Sequence, residues 1–221
     1  MWRTAYRLRP PLLRRGIGPR TADYLLISWR EAASAVAAIA LLGCAELWSG
    51  RHDLGRALAE IGLQIGSSVD DLAMLSVLLF LVCYAINLGF GLFRQAARIR
   101  PTVTTVNMVP DKPGETAVLA LVLAPVSGIA EEIVFRGVLL WAFTALGADP
   151  ISAVGSQAVL FGLIHLYQGG LGVLRTIALG LVLGAATLSC GSLIPAMIAH
   201  TLINAAVGIG RVSRPAAATR R

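Results

Sequence analysis

Six residues in the second half of this chain carry chemistry that their apolar surroundings do not explain: Glu131, Glu132, Arg136, His165, His200 and Asn204. Carboxylates and imidazoles exchange protons near neutral pH, and a carboxamide donates hydrogen bonds without ionising. The spacings group them. Glu132 and Arg136 stand at i and i+4 with the acid on the N-terminal side, the favourable order for a helical ion pair. Glu131 is turned about 100° from Glu132 on a helix, so it belongs to a different face. One carboxylate can thus be neutralised structurally while its neighbour faces a cavity. Phe161 and His165 repeat the i, i+4 spacing, and so do His200 and Asn204.

The elements that must hold these groups are membrane helices. Of 221 residues, 56% are hydrophobic and only 14% are charged, against roughly 25% charged in a soluble domain. The mean hydropathy of +0.73 points the same way. A soluble enzyme, a disordered chain and a disulfide-stapled secreted domain are excluded by that balance. The net charge of +7 does not signal nucleic acid. Arg3, Arg7, Arg9, Arg14, Arg15, Arg20 and Arg30 precede the first long apolar run, and Arg211, Arg214, Arg220 and Arg221 follow the last. Charges gathered at such flanks report topology and attraction to anionic lipid. Cys44, Cys83 and Cys190 lie in apolar stretches with no Cys-x-x-Cys pair, which predicts small buried filler.

A span needs about 20 mostly apolar residues to cross about 30 Å of hydrocarbon. Candidates run over 31–48, 72–93, 116–146, 152–166, 171–188 and 193–209. The third is long, and Pro125 offers a kink or break within it. The expected fold is therefore all-α: a polytopic transmembrane helical bundle of about six spans, within a range of five to eight. Residues 1–24 read as a cytoplasmic Arg-rich leader, 25–115 as two N-terminal spans and a basic loop, 116–210 as a catalytic helical core, and 211–221 as a basic tail. With the N-terminus inside, the loop bearing Arg94, Arg98, Arg100 and Lys112 also falls inside, whereas the short outer turns carry no Lys or Arg. Glu46 and His52 are expected at the outer interface. The glycines Gly180 and Gly184 are expected to let helices pack closely.

Ionisable groups in such spans usually face an interior cavity. Glu131 and His200 are expected near mid-membrane, with His165 toward the cytoplasmic end of its own span, so that the three converge on a cavity open to the cytoplasmic side. The stretches Glu131-Glu132-Ile-Val-Phe-Arg136, Phe161-Gly-Leu-Ile-His165 and His200-Thr-Leu-Ile-Asn204 resemble the EExxxR, FxxxH and HxxxN motifs of the CPBP intramembrane proteases. That family includes CAAX prenyl endopeptidases and bacterial Abi and bacteriocin-processing proteins. The likeness covers roughly residues 116–207.

The resemblance implies peptide-bond hydrolysis inside the bilayer, on a membrane-associated peptide or protein. Glu131 would be the general base that activates water, with His165 positioning or polarising it. His200 and Asn204 would donate to the developing oxyanion, and Glu132, Arg136 and Phe161 would support the site. No cofactor is expected. A zinc ion on Glu131, His165 and His200 is the alternative, since one carboxylate and two imidazoles are a zinc-type donor set. Two non-proteolytic readings use the same residues: a membrane immunity or scaffold protein of this fold, and a proton-coupled transporter. Partners are membrane lipid and the peptide substrate, with no nucleic acid. The expected location is a bacterial plasma membrane with both termini cytoplasmic.

Overall fold

The computed structural model describes residues 10–50, 52–64 and 68–212. Parts of the expected leader and of the basic tail, with Arg3, Arg7, Arg9, Arg214, Arg220 and Arg221, lie outside the described residues. Among those described, every regular element is helical. We number them α1 Pro19–Trp48, α2 Leu54–Glu60, α3 Val69–Ala96, α4 Val103–Asn107, α5 Pro113–Ala145, α6 Pro150–Leu163, α7 Gly170–Cys190 and α8 Ile194–Val212. Four of these, α1, α3, α5 and α7, are long and apolar enough to cross a membrane, and α6 and the 194–206 part of α8 are shorter apolar helices. The protein is a polytopic helical bundle.

The long third stretch is one continuous helix that absorbs Pro125 by changing pitch. Wider π turns occupy Leu119–Leu123 and Ile133–Leu139 within α5. Proline removes a backbone donor and its ring crowds the preceding turn, and the first π stretch ends just before it, where the extra width relieves that clash.

Contacts fix the directions of the helices. Tyr24 and Arg20 meet Met108, Asp111 and Glu115 at one end of α1, Ala35 packs with Ala130 in its middle, and Leu42 clusters with Val138 and Trp141 further on. Helices α1 and α5 are therefore parallel. Helix α8 is antiparallel to α5, because Gly128 faces Thr201 whereas Gly137 faces Leu193. Helices α6 and α7 form an antiparallel pair in which Gly162 faces Val173, Gly180 faces Ala158 and Gly184 faces Gln157. The Gly180–Gly184 pair thus serves close packing: a Cβ on Gly180 would stand 3.0 Å from the Ala158 Cα.

Gly128 makes the tightest of these approaches to backbone. An added Cβ would lie 2.7 Å from the Thr201 backbone nitrogen and 2.9 Å from its Cα. Backbone cannot rotate away as a flexible side chain can. Gly128→Ala is expected to push α5 from α8 and cost about 1–3 kcal/mol, read as a lowered midpoint in denaturant unfolding; an unchanged midpoint would show that the two helices separate freely.

Burial adds detail at three places. Glu46, near the end of α1, is only 2% exposed. Only Cys83 is buried, while Cys44 is exposed and Cys190 is intermediate. Helix α1 begins at Pro19, with Ala22 and Tyr24 buried, inside the stretch read as a leader. At the start of α6 the expected short turn is a helix cap. Asp149 accepts from the backbone nitrogens of Ile151 and Ser152 at 3.0 and 3.1 Å. The Ser152 hydroxyl, together with those backbone donors, holds its carboxyl below the usual range. A lowered folded value means that the cap's contribution is present above the unfolded value and fades as pH falls through the folded one.

Candidate active site

Helix α6 ends early, and that brings His165 into the bundle. Fourteen residues, Pro150–Leu163, extend roughly 21 Å, less than a hydrocarbon core of about 30 Å. The chain then makes a 3-10 turn at Leu166–Gln168, and Gly169, at φ 81°, starts α7. His165 stands at that break, with its Nδ1 2.8 Å from the Phe161 carbonyl oxygen. A carbonyl only accepts, so Nδ1 carries a proton and Nε2 of the neutral ring is the acceptor.

Glu131 and Glu132 differ in their contacts. Arg136 Nη1 donates to Glu132 Oε1 at 2.9 Å, and both side chains are fully buried. His200 Nδ1 on α8 donates to the same oxygen at 2.7 Å. The other face of the imidazole points at the second carboxylate, with His200 Nε2 3.7 Å from Glu131 Oε2. That gap is longer than a hydrogen bond. A buried file thus runs Arg136–Glu132–His200–Glu131, and its charges sum to zero when His200 is protonated.

Phe161 is the hub that gathers these groups. The Arg136 Cζ lies 4.1 Å from its ring centroid, a cation–π contact. The His165 and His200 rings stand edge-on to it, with centroids 4.9 and 6.0 Å away, and Phe135 packs at 5.0 Å. Both imidazoles therefore flank one ring. Asn204 lies one turn beyond His200 on α8, half-buried, and makes no side-chain hydrogen bond among the described residues.

Sequence reasoning missed Gln157. It is fully buried one turn before Phe161, and its Nε2 donates to the Gly180 carbonyl at 3.0 Å, which locks α6 against α7. The i, i+4, i+8 series Gln157, Phe161, His165 was the available signal. Glu31, buried and paired with Arg30, was also missed. Two cavities can be described. One, of about 240 Å³, is lined by Glu60, Arg136, Trp141, Thr144 and Thr187, and the other, of about 310 Å³, by Cys44, Glu46 and His52 among others. Neither is lined by Glu131, His165 or His200.

Residues 113–206 match the Rce1-like family, type II CAAX prenyl endopeptidase. That segment is Rce1-like. No curated protein and no solved structure matches the chain. All of the motif residues, from Glu131 to Asn204, fall inside the Rce1-like segment, together with the whole of the buried polar file. Helices α1 to α4 lie outside it. The family supports a CAAX-type intramembrane endopeptidase at family level and a membrane-associated substrate.

Among the described residues no group of three or more His, Cys, Asp or Glu could hold an ion. The Nδ1 atoms of both histidines are hydrogen-bonded, one to a carbonyl and the other to Glu132, which leaves Nε2 as the outward nitrogen of each ring. Zinc on Glu131, His165 and His200 would need ligand distances of about 2.0–2.2 Å.

Proposed function

We propose that this protein is an intramembrane endopeptidase that uses Glu131 to activate water against a peptide bond of a membrane-associated substrate, with a prenylated CAAX-type tail as the substrate class. The observation that supports this reading best is the pairing of unlike environments for adjacent carboxylates. Glu132 is committed to Arg136 and His200, whereas Glu131 Oε2 is buried without a hydrogen-bond partner. A carboxylate held in place but not consumed by a partner is what a general base requires.

Water would sit between Glu131 and His165. The lone pair on His165 Nε2 orients one water proton, and Glu131 takes the other as oxygen attacks the scissile carbonyl. The developing oxyanion then needs donors. A protonated His200 offers Nε2–H, and its cation is balanced by the Glu132 carboxylate on Nδ1. The Asn204 carboxamide, a turn away on the same helix face, supplies the second donor. Glu131 finally passes its proton to the leaving amine, and peptide and water are converted to acid and amine with the base regenerated.

Purified protein in nanodiscs, given a prenylated CAAX-type peptide, tests this. The expected product is the peptide cut upstream of its C-terminus, identified by mass. His165→Ala is expected to lower the rate by about 10²–10⁴-fold, with a much smaller effect on unfolding because its side chain hydrogen-bonds only the nearby Phe161 carbonyl. Wild-type rates in that variant would remove His165 from the chemistry.

A further inference from the structure

The stretch between α3 and α5 lies outside the Rce1-like segment and takes no part in the chemistry above. Helix α3 ends in a hydrogen-bonded reversal: Arg98 N donates to the Gln95 carbonyl at 3.2 Å and Ile99 N to the Arg94 carbonyl at 3.0 Å. Arg98 occupies the left-handed position of that reversal, at φ 54°, where glycine or asparagine is usual. An arginine there is strained for a side chain with no local hydrogen bond to gain. Arg98 and Arg100 are exposed and Arg94 is half-buried. None of the three forms an ion pair among the described residues, whereas Arg20, Arg30, Arg56 and Arg136 all do. The nearest acids in the chain, Asp111 and Glu115, are taken by Arg20.

Apolar surface adjoins these cations. Val103 is 76% exposed, and Ile99 and Val106 are each 44% exposed. Unpaired guanidinium groups beside exposed aliphatic side chains, at the end of an apolar helix of span length, match the boundary between lipid phosphates and acyl chains.

This surface is also joined to the candidate active site. The Thr102 hydroxyl, which caps α4, donates to the Tyr167 carbonyl at 2.8 Å. Tyr167 lies in the turn after His165, and the two rings are 5.7 Å apart. The same turn is held from the other side, where Gln168 Nε2 donates to the Tyr167 hydroxyl at 3.1 Å and Arg175 donates to Gln168 Oε1 at 2.6 Å.

We propose that the Arg94–Asn107 segment is a docking site for anionic phospholipid headgroups, and that the Thr102–Tyr167 hydrogen bond transmits its occupancy to the turn that carries His165. The inference deepens the reading of His165 as a functional residue, but its test needs no hydrolysis.

The full chain is placed in phosphatidylcholine nanodiscs containing a minor fraction of phosphatidylglycerol, and lipids retained by the protein are counted by native mass spectrometry. Phosphatidylglycerol is expected to be enriched at least fivefold over its bulk fraction. Arg94→Gln/Arg98→Gln/Arg100→Gln loses that enrichment, Arg94→Lys/Arg98→Lys/Arg100→Lys keeps most of it, and Arg14→Gln/Arg15→Gln stays within twofold of wild type. Enrichment that persists in the glutamine triple variant, or that is lost equally in the Arg14/Arg15 variant, overturns the docking site. Backbone amide exchange of residues 164–169 reads the coupling. It is expected to slow severalfold when phosphatidylglycerol is added, and Thr102→Val is expected to abolish the slowing while lipid enrichment persists. Exchange that does not respond to the lipid, or that responds equally in Thr102→Val, overturns the transmission.

Discussion

Arg136→Ala is expected to remove most of the folded protein from the membrane. The guanidinium is fully buried, donates to an equally buried Glu132 and covers the Phe161 ring at 4.1 Å. Removing one partner of such a pair leaves the other charge uncompensated, at about 3–5 kcal/mol. A stability of about 5–15 kcal/mol survives that loss only in part. Arg136→Lys is expected to rescue poorly, because an ammonium has neither the planar face that lies on Phe161 nor the forked geometry. The measurement is the denaturant midpoint of purified protein in mild detergent. A midpoint within experimental error of wild type would mean that the Glu132–Arg136 pair is not what holds α5 in register with its neighbours.

Glu131→Gln is expected to do the reverse. Its Oε2 has no hydrogen-bond partner, and an amide has nearly the same shape, so folding should be little affected. Loss of a general base, in contrast, costs about 10²–10⁴-fold in rate. Two neighbouring glutamates are therefore expected to separate cleanly: position 131 changes the rate at constant stability, and Glu132→Gln changes stability first. His200 falls between them, since it binds Glu132 at 2.7 Å and faces Glu131 at 3.7 Å. His200→Ala is expected to lower both rate and midpoint. A Glu131→Gln protein with the wild-type rate on a prenylated peptide would contradict the proposed base.

The Glu132–Arg136 pair was legible in the sequence because helical spacing brings i and i+4 together and turns the adjacent Glu131 away. The polytopic bundle was legible for an equally local reason, the length and apolarity of the helices. What the sequence hid depends on partners far along the chain. That His200 stands between both carboxylates needs the antiparallel register of α5 and α8, which rests on Gly128 admitting Thr201. The burial of Gln157 needs the α6–α7 pairing, and the burial of Glu46 needs the packing around the end of α1. The π turns of α5 answer a question that Pro125 raised but could not settle, because a kink, a break and a change of pitch all accommodate a missing donor.

The most direct test of the account compares cells producing the wild-type chain with cells producing Glu131→Gln at equal level, each shown to be folded in the membrane. Mass spectrometry of their membrane-associated peptides seeks new C-termini. The account predicts cleavage products in wild-type cells that are missing with Glu131→Gln, and these would name the substrate directly. Identical peptide profiles from the two folded proteins would contradict the claim that Glu131 makes this chain a protease.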